Sequence, residues 1–109
     1  MSRTAAPLTI TNEKQLQSRV EGMAKALGWL TYHTKNAMQS NKGFPDLVCA
    51  HPWHGVVFLE LKVNSPISAS QEMWIDVLQS SGQRADYVYP KDTVEGSWLE
   101  RLLKGEEAR

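Results

Sequence analysis

The sequence predicts an α/β fold, a central mixed β-sheet flanked by helices in the order α-β-β-β-α-β-α. Three observations carry this prediction. Apolar residues recur at helical spacing in three separate stretches. Between them lie four short runs rich in β-branched, aromatic and aliphatic residues. Gly and Pro punctuate the joins, and no repeat, low-complexity block or linker divides the chain. A length of 109 residues suits one domain spanning 1–109.

Residues 1–11 show no period and read as a loose arm. The first helix is predicted over 13–27. Leu16, Val20, Met23, Ala24 and Leu27 form its apolar stripe, Asn12 and Gln15 fit a capping box, and Gly28 ends it. WLTYHT, 29–34, is the first strand, followed by the polar loop KNAMQSNKGFP. DLVCA (46–50) and VVFLELK (56–62) are the next two strands, joined as a hairpin by HPWHG. After the loop VNSPISAS, a helix starts near Ser68 or Ser70 and stops at Gly82. ADYVY (85–89) is a strand closed by Pro90. A last helix, VEGSWLERLLK, is weakened by Gly96, and 105–109 reads as a frayed end.

Twelve basic and twelve acidic side chains cancel, so composition does not mark a non-specific nucleic-acid coat protein. A locally basic surface remains compatible with that balance. Cys49 is the one cysteine, which excludes an internal disulfide. No segment reads as a signal peptide or a bilayer span, and the expected location is cytoplasmic.

Glu60 and Lys62 are unusual in an otherwise apolar strand. Strand side chains alternate, so the two share one face while Leu59 and Leu61 share the other. A solvated pair at the strand end is the simplest account of these two residues alone. Asp46 alters that account. Pairing 46–50 with 56–62 across the turn brings Asp46 near Glu60 and Lys62. Two carboxylates with open positions around them suit Mg²⁺ or Mn²⁺. A neighbouring lysine can hold a water or stabilise charge on a phosphate.

PDL at 45–47 and ELK at 60–62 resemble the PD-(D/E)XK nuclease signature. The wider pattern, G-F-P-D-L … G-V-V-F-L-E-L-K … S-x-x-Q-x-x-W … G, resembles the VRR-NUC (virus-type replication-repair nuclease) domain from about Asn12 to Tyr89. The resemblance implies a restriction-endonuclease-like fold and metal-dependent hydrolysis of phosphodiester bonds. It also implies that Asp46, Glu60 and the Leu61 backbone carbonyl bind the metal, and that Lys62 positions or activates the attacking water. Stand-alone members resemble Holliday-junction resolvases, which implies branched DNA as substrate, a homodimer, and phage or bacterial origin. A nuclease of restriction or nicking type, and a non-catalytic DNA-binding module, are the alternatives.

Glu13 and Gln71 are the further site candidates. At about 100° per residue, Glu13 falls roughly 35° from the centre of the first helix's apolar stripe, and Glu21 roughly 115° from it. Glu13 is therefore expected to face the sheet and Glu21 the solvent. The resemblance also favours a glutamate at the helix start, as a catalytic residue or an added metal ligand. An acid complementing the helix dipole is the simpler role. Gln71 shares a helical face with Trp74 and Leu78. It can complete a capping box with Ser68 or reach the site.

His33, Lys35 and Lys42 flank the loop before Asp46 and are candidates for phosphate contacts. His51, His54 and Cys49 do not form a zinc pattern, and Cys49 reads as a strand residue. Trp29, Trp74 and Trp98 are expected in the core. Trp53, at a turn tip, is expected to be exposed.

Overall fold

The computed structural model describes residues 9–34 and 41–106 of the chain. Helix α1, Glu13–Ala26, leads into strand β1, Leu30–His33. Strands β2, Leu47–His51, and β3, Gly55–Leu61, form the expected hairpin. Helix α2, Ala69–Ser80, returns the chain to β4, Arg84–Val88. A 3-10 turn, Pro90–Thr93, precedes the final helix α3, Trp98–Leu103. Among the described residues the sheet order is β1-β2-β3-β4, with β4 alone parallel to its neighbour.

The pleat divides the molecule into two layers of different character. Leu47, Cys49, Val57, Leu59, Leu61 and Val88 point to one face of the sheet. There they meet Leu16, Val20, Met23 and Ala24 of α1 and Leu99, Leu102 and Leu103 of α3. Each such buried aliphatic side chain contributes about 1.5–3 kcal/mol. Trp29 joins this core and ties its two helices together. Its indole N–H donates to the Leu103 carbonyl at 2.8 Å. On the opposite face Phe58 meets Phe44 edge-on, and Phe44 in turn meets Trp74 of α2 at 4.9 Å between ring centres. That face also carries Glu60.

Several element ends differ from expectation. Trp29 lies in the turn before β1, where its backbone N–H bonds the Ala24 carbonyl as α1 terminates. The segment expected as one helix from Val94 divides. Pro90 starts the 3-10 turn, Gly96 takes a φ of 83° outside any helix, and Ser97 caps α3 by accepting from the Glu100 N–H. The capping box at Asn12 is displaced by one residue. Asn12 accepts from the Gln15 N–H at 2.8 Å, whereas the Gln15 side chain accepts from the Thr11 N–H at 2.7 Å. Of the expected loose arm, residues 1–8 lie outside the described residues, and Ile10 packs against the core. Residues 107–109 of the expected frayed end also lie outside them. Trp74 and Trp98 are half-buried rather than enclosed, and Trp53 is 85% exposed.

Gly43 sets the distance between the loop before β2 and the first turn of α2. It has a φ of 88°, and an added Cβ would stand 2.6 Å from the Ser70 carbonyl carbon and oxygen. Both the left-handed backbone and the close approach exclude a side chain. Gly43→Ala is therefore expected to cost about 1–3 kcal/mol of stability, measured as a lower urea midpoint with an unchanged m-value.

Candidate metal centre

The site forms where the β2–β3 ladder stops. Leu47 pairs with Leu59, so continuing the register sets Asp46 opposite Glu60 and Pro45 opposite Leu61. Opposed residues on paired strands point the same way, which places both carboxylates on the α2 side of the sheet. The Lys62 N–H turns toward β4 and bonds the Val88 carbonyl at 2.9 Å. The preceding Leu61 peptide N–H and carbonyl therefore face the β2 side. Pro45 has no N–H to give that carbonyl. The Leu61 N–H instead donates to Asp46 Oδ2 at 2.8 Å. One backbone position thus anchors the aspartate through its N–H and is left without a ladder donor on its carbonyl.

Glu60 is 2% exposed and Lys62 3% exposed, although both are chargeable. The Gln71 side-chain amide donates to Glu60 Oε2 at 2.8 Å. Its other end, Oε1, accepts from the Ser68 N–H at 2.9 Å. Gln71 therefore serves the capping box and the site at once, one atom to each. The Lys62 ammonium donates to the Pro66 carbonyl at 2.8 Å and approaches the Ser65 hydroxyl at 3.4 Å.

Burial is the largest cause raising the Glu60 carboxyl, which the charge of Asp46 and a hydrogen bond to it push further, up to about 8. Burial also raises Asp46, while the Leu61 N–H and the Glu60 hydrogen bond pull it back. Lys62 favours ionisation of both carboxyls but does not offset burial for either. Both shifts thus favour a protonated carboxyl over two neighbouring carboxylates. Positive charge placed beside the pair would let both carboxyls ionise. The available donors are two carboxylates and the Leu61 carbonyl. These hard oxygens suit Mg²⁺ or Mn²⁺ with waters completing the shell. Among the described residues no three His, Cys, Asp or Glu side chains gather at ligand spacing.

The other candidates fall in different places. Glu13 is exposed, and its Oε2 accepts from the Ser65 hydroxyl at 2.9 Å. Glu21, expected in solvent, is half-buried and raises Cys49 by its charge. The helix angle misleads here because Glu13 occupies the first turn, which overhangs the loop after β3, whereas Glu21 lies further along the sheet. Burial pushes the Cys49 thiol up to about 11, in keeping with a core role. His33 is paired with Leu47, so it projects from the face opposite the carboxylates. Lys42 is exposed beside Ser70, Met73, Trp74 and Val77. Lys35 lies outside the described residues. His51 and His54 stack at 4.2 Å beside Trp29. Ser65 and Pro66, which hold Lys62, carried no signal in the sequence beyond a turn-forming Asn-Ser-Pro after the strand.

The VRR-NUC domain family model matches residues 5–91. A solved VRR_NUC domain superposes with a TM-score of 0.61 at 23% identity, covering 85% of this chain and 91% of its own. A solved VRR_NUC domain protein gives 0.56 at 23% identity, covering 77% and 81% respectively. At that identity the likeness is one of fold. No curated protein matches the sequence.

The protonated Glu60 has a consequence for metal-free protein. The folded state keeps this proton up to about 8, while an unfolded chain loses it near the ordinary 4.5. Between those values the folded state binds more protons, so stability falls as pH rises. Urea unfolding in EDTA should show greater stability at about pH 5 than at about pH 8.5. Glu60→Gln should remove most of that slope and stabilise by about 1–3 kcal/mol at the higher pH. An unchanged slope in the variant would contradict the assignment.

Proposed function

The chain belongs to the VRR-NUC family of nuclease domains, and from that premise we propose that it is a metal-dependent DNA endonuclease cutting branched DNA as a homodimer. The Asp46–Glu60 pair, one carboxyl buried and the other half-buried, carries this reading, because desolvating two neighbouring carboxylates is costly unless positive charge compensates them. Asp46, Glu60 and the Leu61 carbonyl would hold Mg²⁺ or Mn²⁺. Such an ion supplies positive charge to the scissile phosphate and acidity to a bound water.

The side chains divide the remaining work. Gln71 fixes the rotamer of Glu60 by donating to one of its carboxylate oxygens, leaving the other for a cation. Leu61 fixes Asp46 through its N–H. Lys62 is held by the Pro66 carbonyl and retains protons for the attacking water or for a phosphate oxygen. The phosphodiester bond breaks by in-line attack of water, leaving one product end with a phosphate and the other with a hydroxyl. Lys42 and Lys35 are candidates for contacts to flanking phosphates, and His33 is the weaker one because of its face.

No helix among the described residues is long and apolar enough to cross a membrane. The preference for branched DNA and the homodimer are inferred from the family resemblance. A dimer would present two sites to the two symmetric strands of a four-way junction.

Cleavage of a four-way junction, matched duplex and single strand with Mg²⁺ tests the proposal. The junction should be cut fastest, and EDTA should abolish cutting. Asp46→Asn and Glu60→Gln should each lower kcat by at least about 10³-fold, and Lys62→Met by about 10²–10³-fold. Equal cutting of all three DNAs would point to a nuclease of another preference. No cutting with Mg²⁺ or Mn²⁺ would leave a non-catalytic DNA-binding module.

A further inference from the structure

Lys62 is held from behind by a short chain of polar groups that begins on α1. Its ammonium donates to the Pro66 carbonyl at 2.8 Å and approaches the Ser65 hydroxyl at 3.4 Å. The Ser65 hydroxyl donates its only proton to Glu13 Oε2 at 2.9 Å. A hydroxyl that has given its proton away can only accept from its other neighbours. The direction of the chain is therefore fixed, from Lys62 to Ser65 to Glu13. Glu13 lies 52 residues from Ser65 in sequence, so this contact joins the first turn of α1 to the turn after β3.

The same contacts place Glu13 behind Lys62. The groups that meet the Asp46 and Glu60 carboxyls directly are the Leu61 N–H, the Gln71 amide and each other. Glu13 acts on those carboxyls through its charge alone, raising both. A carboxylate bound to the serine hydroxyl that the ammonium approaches is placed to orient that lysine.

We propose that Ser65 is a positioning residue for Lys62, and that Glu13 acts on the site through the Ser65 hydroxyl rather than as a metal ligand. This rests on the nuclease reading for its kinetic part only. Ser65 keeps the ammonium from rotating toward solvent or collapsing onto the carboxylates when the cation is absent. Its contribution to rate is that of orientation, which mutation of a supporting group lowers modestly.

The experiment compares Ser65→Ala, Glu13→Gln, the double variant and Ser65→Thr. Binding of Mg²⁺ and Mn²⁺ is followed by calorimetry, and cleavage by kcat and KM. The expected result is a fall in kcat of about 5–20-fold in each single variant, with the double variant no worse than either. KM for DNA and both cation affinities should stay within about threefold of wild type, and Ser65→Thr should recover most of the lost rate. Multiplying losses in the double variant, or unchanged rates in both single variants, would overturn the proposal. So would a tenfold or greater loss of cation affinity in Glu13→Gln but not Ser65→Ala, since that would make Glu13 a ligand. If the wild type cuts no DNA, the nuclease reading fails. The ligand assignment is then still decided by calorimetry. The positioning role is decided by the exchange rate of the Lys62 ammonium protons in NMR, which should rise in Ser65→Ala and stay low in Ser65→Thr. An unchanged rate there would overturn it.

Discussion

The site depends on one interrupted hydrogen-bond ladder. β2 and β3 pair regularly from His51 and Gly55 as far as Leu47 and Leu59. The next hydrogen-bonded position would be Pro45 with Leu61, and proline cannot donate. The Leu61 N–H finds the Asp46 carboxylate in its place. A β-ladder that simply ended would leave both groups to water. Here the ending is used, because it brings a carboxylate and a carbonyl to the place where Glu60 emerges. The sheet supplies rigidity, and the proline supplies a vacancy in it.

Electrostatics and packing meet at the same place. The apolar face below, built on Leu59 and Leu61, keeps the end of β3 buried. On the other face Glu60 is buried beneath α2, and that burial is the largest cause raising its carboxyl. Such a desolvated carboxyl is a cost to the fold that nearby positive charge would relieve. Asp46 shares that cost but is only half-buried and is compensated by a backbone N–H, so the two carboxyls are unequal. This inequality follows from their places: Glu60 is within a strand flanked on both sides, while Asp46 precedes one.

Much of this was legible in the sequence because it rests on period and punctuation. The alternation in VVFLELK set Glu60 and Lys62 on one face, and the short turn HPWHG fixed a register that brings Asp46 to them. Helix α1 was legible from its stripe, and α2 from Ser68 and Gln71. What escaped involved contacts between segments distant in sequence. The reach of Ser65 to Glu13 depends on where α1 crosses the loop after β3, and no local pattern encodes that crossing. The exposure of Glu13 and the partial burial of Glu21, opposite to the order of their helix angles, have the same origin. An angle around a helix says which way a side chain points but not what lies beyond it at that height. The apolar spacing of the final helix continues back to Val94, while Pro90 and Gly96 impose a 3-10 turn and a break on the backbone.

Gln71 has a consequence that reaches past its two hydrogen bonds. Helix caps accept glutamine and glutamate almost interchangeably, since either offers an oxygen to the backbone. At this position the second atom of the amide is committed to Glu60 as a donor. A glutamate would start α2 equally well yet bring a third acidic group against Glu60 and Asp46 in place of a donated hydrogen bond. The position thus discriminates between two nearly isosteric side chains by a single atom. A fold with an intact α2 and no donor to Glu60 is one substitution away, and its helix content would give no sign of it.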